Sequence, residues 1–220
     1  MYLPRLQRPV AIFSLLLAVT AASGQDTQPS SPPESQPAQE FAYVLMTTSL
    51  GDIVIELNRA KAPITVANFL SYTDQEFYDG TIFHRVIANF MIQGGGLTAD
   101  MSKKTTDPPI TNEWRNGLKN KRGSIAMART GQPDSATAQW FINVKDNANL
   151  DGSRGGAGYA VFGRVVAGMD VVEKIRYADT GVKMGRGDVP IETIVIEKVR
   201  QITPEDAKKI AETPTTKPGG

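Results

Sequence analysis

Short segments in which apolar residues recur at every second position dominate the middle of the chain. In "GDIVIEL", Ile53, Ile55 and Leu57 fall on one face of an extended strand, while Asp52 falls on the other. The preceding "AYVLMTTSLG" supplies a partner strand and a turn at Gly51. Six similar segments follow, separated by Gly, Pro, Asn and Asp clusters: "TIFHRVI", "FMIQGG", "GSIAMA", "QWFINV", "YAVFGRVV" and "IETIVIEKV". Eight short strands predict a mainly β fold, either a barrel or a sandwich.

Two segments carry helical spacing instead. After Pro63, apolar residues recur at steps of three or four, beginning with Val66 and Phe69. "GMDVVEKIRY" places Asp170 in a first turn and two basic residues in a last turn, which matches the helix dipole. We expect these two helices to cover the open ends of a strand barrel. The later "GVKMGRGDVP" is interpreted as a Gly-rich turn before the last strand.

The first 24 residues have the pattern of a cleaved signal peptide. Arg5 and Arg8 precede an uncharged apolar run over residues 10–19, and small residues occupy 21–24. A membrane helix needs ~20 apolar residues, about twice the length of this run, so a retained anchor is the weaker alternative. The pattern predicts a periplasmic or secreted protein.

Composition divides the rest of the chain. Residues 25–40 are rich in Pro, Ser and Gln, which predicts a linker, because such a segment buries too little apolar surface to offset its ordering entropy. Residues 41–203 form the predicted folded domain. For 204–220 we expect a short helix, with Thr203 as N-cap and Pro204 at its first position, and then a disordered tail.

The charge balance and the absence of cysteine exclude several classes of protein. The 220-residue chain has 24 basic and 23 acidic residues, so nothing in its net charge favours binding to nucleic acid or to an anionic membrane surface. Without cysteine there is no disulfide, thiolate metal site or thiol nucleophile. After cleavage of the leader we expect no stable membrane insertion.

The segment "FHRVIANFMIQGGG" contains the one histidine of the sequence beside an arginine. Neighbouring strand residues point to opposite faces, so His84 and Arg85 should not act as a contacting pair. The sequence offers no nucleophile motif, second histidine or metal-ligand spacing, which weakens a hydrolase and predicts no metal. We interpret His84 as a core residue with satisfied hydrogen bonds. Arg85 then faces outward with Phe83, either as a functional cation or with its stem covering apolar surface.

Four ordered segments resemble the cyclophilin family of peptidyl-prolyl cis/trans isomerases. They are "FHRVIANFMIQGGG", "NGLKNKRGSIAMART", "SATAQWFINVKDN" and "NLDG...YAVFGRVVAGMDVVEKI", and the similarity spans about residues 42–202, most strongly to bacterial members. The resemblance implies a cyclophilin-like, eight-stranded antiparallel β-barrel capped by two α-helices, with a substrate groove on its outer surface. It also implies a monomer without cofactor that acts on X-Pro bonds in unfolded or partly folded polypeptides.

Position by position, the resemblance implies Arg85 as the catalytic residue. Asn149 stands where many members carry an aromatic residue, and Tyr159 where many carry histidine. We therefore expect a looser grip on the proline ring and weak binding of cyclosporin-type macrocycles. The other residues implied to line the groove are Phe90, Met91, Gln93, Ala128, Gln139, Phe141 and Leu150.

The sequence thus predicts a prolyl isomerase that assists the folding of exported proteins. The alternative is a non-catalytic proline-peptide-binding or holdase module that uses the same groove. Arg85 favours the enzyme, because binding alone needs no donor at the ring nitrogen. A hydrolase relying on His84 would instead depend on pH near ~6.5.

Overall fold

The computed structural model describes residues 39–153 and 155–213. The predicted leader, most of the predicted linker and the tail after residue 213 lie outside these residues. No helix among the described residues is long and apolar enough to cross a membrane.

Eleven strands and three α-helices make up the described part of the chain. In chain order they are β1 (Phe41–Thr48), β2 (Gly51–Asn58), α1 (Pro63–Asp74), β3 (Thr81–Ile82), β4 (Arg85–Ile87), β5 (Met91–Gly94), β6 (Ser124–Met127), β7 (Trp140–Asn143), β8 (Val161–Ala167), α2 (Met169–Arg176), β9 (Thr180–Lys183), β10 (Arg186–Pro190), β11 (Val195–Ile202) and α3 (Pro204–Glu212). A short 3-10 turn, Ala148–Leu150, precedes β8.

Nine of the strands form one antiparallel sheet in the order β3-β11-β1-β2-β8-β6-β7-β5-β4. Its two edge strands, β3 and β4, come from one segment, which the sequence predicts as a single strand. Phe83 N–H donates to the Ile194 carbonyl at 3.0 Å and His84 N–H to the Gln93 carbonyl at 3.1 Å, so this segment joins both edges. The mainly β, antiparallel barrel is confirmed, and the ninth strand arises because "TIFHRVI" divides at Phe83 and His84.

The interpretation of "GVKMGRGDVP" as a plain turn is wrong. β9 and β10 pair as a separate two-stranded hairpin, with its turn at Met184 and Gly185, both of positive φ. Glycines interrupt the alternation in both strands, which hides the strand pattern in the sequence. Val189 holds the hairpin on the barrel, because it is buried against Ile82 and Leu97.

The two predicted helices are confirmed, and each packs an apolar face into the main core. α1 has no capping side chain of its own at Ala62. The Glu113 carboxylate takes that role from a distant loop, accepting from the backbone N–H groups of Ile64 (3.1 Å) and Thr65 (2.8 Å). This carboxylate satisfies donors that the first turn leaves unpaired and lies at the positive end of the helix dipole.

The predicted short helix after residue 203 is α3. The Thr203 hydroxyl accepts from Asp206 N–H at 3.0 Å, as the N-cap interpretation requires. Ala207 and Ile210 pack against Leu45 in a small apolar cluster outside the main core.

Candidate active site

Side chains on the outer face of β4, β5, β7 and β6 form one continuous row. Arg85 is opposite Gln93, Gln93 is opposite Phe141, and Phe141 is opposite Ala126. The alternate residues of the same strands, such as Ile92 and Trp140, point into the main core. The period of two along each strand therefore separates the row from the core.

The row borders a cavity of about 120 Å³ that opens on the barrel surface. Met91, Phe141 and Leu150 form a buried apolar floor, in a cluster distinct from the main core. Eight of the ten residues predicted from the sequence line this cavity, together with Arg129, which the sequence analysis missed. The lining residues are Arg85, Phe90, Met91, Gln93, Ala128, Arg129, Phe141, Leu150 and Tyr159.

A second cavity of about 220 Å³ adjoins the first and shares Gln93, Ala128 and Arg129 with it. Gln139, the ninth predicted residue, lines this second cavity. Gln93 donates from Nε2 to Gln139 Oε1 at 3.1 Å, so the two amides are held together between the cavities. The amide pair leaves polar groups beside an apolar floor, which suits an extended peptide backbone.

Asn149 is not among the described residues that line either cavity. It is exposed in the middle of the 3-10 turn that delivers Leu150 to the floor. Tyr159 does line the groove, and its ring meets Phe141 edge-on at 5.7 Å between centroids. The Arg129 guanidinium lies 4.5 Å above the Tyr159 ring and donates to the Ala157 carbonyl at 2.6 Å. Arg129 therefore fixes this wall of the groove.

A buried asparagine network supports the groove from behind. Asn147 donates from Nδ2 to the Phe90 carbonyl at 2.8 Å and to Asn143 Oδ1 at 2.7 Å. Asn143 in turn donates to Asn120 Oδ1 at 3.1 Å. These bonds hold the backbone turn that carries Phe90. These bonds could not be predicted from the sequence, because they join Asn143, at the end of a strand, to Asn120 and Asn147 in separate loops.

Arg85 combines fixed charge with solvent access. Its side chain is 43% exposed, and its guanidinium keeps its proton at every working pH. Its Nε lies 3.7 Å from Oδ2 of Asp188 in β10. The structure therefore places a permanent donor at the rim of an apolar pocket.

His84 is buried, as predicted, with 6% of its surface exposed. Its pKa is lowered to about 4, above all by burial and also by the positive charges of Arg186 and Arg85, while hydrogen bonding with the Ile82 backbone and the Gln139 side chain opposes the decrease. The prediction of satisfied hydrogen bonds is wrong for Nδ1, which has no partner among the described residues. A histidine that stays neutral down to such acid pH is unsuited to acid/base catalysis near neutrality.

Phe83 does not share the face of Arg85, contrary to the sequence interpretation. It is fully buried in the main core, edge-on to Trp140 at 5.7 Å. Strict alternation fails here because the strand is interrupted between Ile82 and Arg85.

Three larger depressions lie elsewhere on the described surface. One, of about 360 Å³, is rimmed by Arg164 and Arg122, but both are engaged in ion pairs at 2.8 Å, with Glu56 and Glu173. Another, of about 820 Å³, is an open groove beside α3. The third, of about 430 Å³, is lined mostly by polar side chains. Size therefore does not identify the site, whereas an apolar floor beside a solvent-accessible arginine does.

These features define a class of protein. It is a curled antiparallel β-sheet whose outer face carries a shallow apolar groove suited to a peptide, flanked by amides and by two arginines, Arg85 and Arg129. Among the described residues, no group of three His, Asp or Glu side chains is placed to hold a metal ion.

Comparison with known proteins gives the family. The pattern described as cyclophilin type peptidyl-prolyl cis-trans isomerase/CLD matches residues 43–201. A peptidyl-prolyl cis-trans isomerase of Streptomyces antibioticus is 57% identical over 163 residues, covering 73% of this chain and 98% of the relative. Peptidyl-prolyl cis-trans isomerase B of Escherichia coli is 56% identical over 159 residues, covering 71% and 97%. The chain belongs to the cyclophilin-type peptidyl-prolyl cis-trans isomerase family.

Solved structures agree on the fold. The crystal structure of a cyclophilin-type isomerase of Cryptosporidium parvum superposes with a TM-score of 0.62 at 25% identity, covering 74% of this chain and 98% of the other. The predictions of a cyclophilin barrel and of an isomerase are confirmed.

Proposed function

We propose that this isomerase rotates X-Pro bonds in the groove described above, with Arg85 as the catalytic residue and the apolar floor as the proline pocket. The observation that carries the proposal is the outward row in which Arg85, Gln93 and Phe141 are successive register partners. One bound segment could then contact the cation, the amide and the aromatic ring together.

The reaction needs no bond to be broken. Rotation about an X-Pro amide is opposed by a barrier of ~18–20 kcal/mol, because resonance is lost in the twisted state. In that state the prolyl nitrogen regains a lone pair and accepts a hydrogen bond. The Arg85 guanidinium is suited to donate it, since it is charged throughout the working pH range. No proton has to leave the substrate.

Arg85 does not supply the whole effect. A charge-assisted hydrogen bond contributes ~1.5–3 kcal/mol, which corresponds to about a ten- to hundredfold gain in rate. The floor of Met91, Phe141 and Leu150 holds the ring while the preceding carbonyl turns, which favours the twisted geometry over both planar isomers. The half-buried setting also strengthens the hydrogen bond from Arg85 relative to bulk water.

The test is isomer exchange of an X-Pro peptide, measured by NMR without a coupled protease. Arg85→Ala should lower kcat/KM by about ten- to a hundredfold while the far-ultraviolet circular dichroism stays that of the parent. Arg59→Ala is the matched control, because Arg59 is exposed in the turn after β2, and it should leave the rate unchanged. Full activity in Arg85→Ala would refute the role of Arg85. Peptide binding by the parent without faster exchange would indicate a holdase.

We also propose that the protein is exported and acts as a monomer on unfolded or partly folded chains that contain proline. The basic, apolar and small-residue regions of residues 1–24 support export, and the solvent-open groove supports polypeptide substrates. N-terminal sequencing of the protein recovered from the periplasm or medium should begin near residue 25, and size-exclusion chromatography should give the monomer. An intact Met1 in the membrane fraction would contradict export with cleavage.

A further inference from the structure

We infer that Asp188 is a positioning residue, which orients the Arg85 guanidinium for catalysis. The inference rests on the proposed role of Arg85 and adds to it a second residue, from an element outside the barrel sheet. It begins from the ion pair between Arg85 Nε and Asp188 Oδ2 at 3.7 Å.

The atom of Arg85 that faces Asp188 decides what the contact can do. The carboxylate lies beside Nε, at the stem of the guanidinium, and the pair leaves the two terminal nitrogens for other partners. A guanidinium has a planar fork of donors, so attraction at one edge orients the other edge. Asp188 therefore restrains the rotation of Arg85 while the terminal N–H groups stay available to a bound peptide.

The β9–β10 hairpin is anchored firmly enough to hold Asp188 in place. Val189, the next residue, is 3% exposed and packs in an apolar cluster under the hairpin. Lys183 donates from Nζ to the Ala99 carbonyl at 3.2 Å, and Ile191 N–H donates to the Asp179 carbonyl at 2.8 Å. Val189 and Lys183 thus attach the hairpin to neighbouring segments, and the bond between Ile191 and Asp179 closes its base.

The backbone at Asp188 is unusual for a residue with a side chain. Its φ is +59°, and it lies at the irregularity between Arg186 and Val189 in the pairing with β9. Aspartate and asparagine tolerate this left-handed conformation better than most residues. The irregularity turns one acidic side chain toward β4, and asparagine is the substitution that keeps both the shape and the backbone.

The alternative to positioning is an inhibitory contact, and the two predict opposite changes in rate. A carboxylate next to a cation could instead draw the guanidinium away from the substrate. Removing the charge would then raise the rate. If Asp188 positions Arg85, removing its charge lowers kcat, because fewer molecules hold the donor in the productive orientation, while KM for the peptide changes little.

The experiment compares Asp188→Asn with the parent in isomer-exchange NMR of an X-Pro peptide, using the full folded chain. Asp188 is 50% exposed, and exposed pairs of this kind are weak, so kcat should fall about two- to fivefold. The difference should shrink as salt rises from ~0.01 to 1 M, because the Debye length falls from about 30 to 3 Å. A loss through folding alone would not follow that salt dependence.

Two controls sharpen the result. Glu212→Gln removes an acidic group from another surface ion pair, more exposed and distant from the groove, with Lys208 at 3.9 Å on α3, and should leave kcat unchanged. In an Arg85→Ala background, Asp188→Asn should have no further effect, since the two residues act as a unit. ¹⁵N relaxation at Arg85 Nε should show greater mobility in Asp188→Asn than in the parent.

The outcomes separate the two proposals. If Arg85→Ala loses activity but Asp188→Asn keeps or gains it, the positioning role is overturned and the role of Arg85 stands. If Arg85→Ala keeps full activity, the proposed function of Arg85 fails first. An unchanged kcat ratio across the salt series would also overturn the positioning role.

Discussion

Along β4, β5, β7 and β6, the residues on the inner face pack in the core, whereas their neighbours on the outer face line the groove. Trp140 and Ile142 point inward and are fully buried in the main core, whereas Phe141 between them belongs to the groove cluster. Ile92 lies inward in the same way, between the groove residues Met91 and Gln93. Residues that stabilise the core and residues that line the groove therefore lie one position apart along each strand. A register shift of one residue would disrupt both the core and the groove.

The largest expected effect is a loss of stability caused by a substitution on the inner face. Trp140→Ala should lower the free energy of unfolding by roughly 3–5 kcal/mol, because it removes a fully buried indole that contacts Tyr78 and Phe83. Phe90→Ala, at the half-buried groove, should cost only about 1–2 kcal/mol. Urea unfolding followed by circular dichroism measures both.

Activity should rank these two variants in the opposite order. Below its unfolding midpoint, Trp140→Ala should keep most of its kcat/KM, whereas Phe90→Ala should lose about tenfold, because one wall of the proline pocket is removed. Equal losses of activity in the two variants would show that the faces are not separate.

The second prediction concerns His84, which is buried in the break between β3 and β4. Its pKa of about 4 in the folded protein lies below the unfolded value of 6.5, so the unfolded chain binds its proton first as the pH falls. Stability contributed by this group is complete above pH ~6.5 and decreases by roughly 3 kcal/mol on going down to pH ~4. His84→Gln should flatten this part of the stability profile in urea titrations. A parallel decline in both proteins would show that other groups cause it.

The third prediction tests how the interior supports the groove. Asn147→Ala should reduce kcat/KM several-fold and the unfolding free energy by about 1–3 kcal/mol, because the Phe90 carbonyl and Asn143 lose a buried donor. Isomer exchange and urea unfolding provide the two values. Asn112→Ala, which removes a donor to the Gly158 carbonyl beside Tyr159, tests in the same way how another wall of the groove is supported. Parent-like activity in Asn147→Ala would contradict the role of the asparagine network in supporting the groove.

The smallest expected effect is a gain in macrocycle binding when an aromatic side chain is added to the outer face. Asn149→Trp places an indole at an exposed position beside Leu150, so a cyclosporin-type macrocycle should inhibit this variant more strongly than the parent, by about fivefold. A drug-inhibition titration of the two proteins side by side compares them. Equal inhibition would mean that Asn149 does not account for weak macrocycle binding.

Much of this arrangement could be predicted from the sequence, and the failures have physical causes. Alternation in "FMIQGG" and "QWFINV" places Met91, Gln93 and Phe141 on one face, because those strands are continuous. The same rule misplaces Phe83, since the strand breaks beside it to join two edges of the sheet.

Features that depend on contacts between distant segments could not be predicted from the sequence. The contact of Arg85 with Asp188 joins residues from separate elements, and the glycines around Asp188 conceal a strand. Burial of His84 could be predicted from its apolar neighbours, but its unpartnered Nδ1 depends on which groups pack around it. Pattern thus predicts which face a residue occupies, and tertiary packing decides its partners.

The most direct test of the central claim, that a fixed cation and an apolar floor act without proton transfer, is the pH profile of kcat/KM for isomer exchange in the parent enzyme. Between pH 5.5 and 8.5 we predict a flat profile, because Arg85 keeps its charge and His84 stays neutral. A tenfold step centred near pH 6.5 would contradict the account, since it would indicate a histidine acting as acid or base.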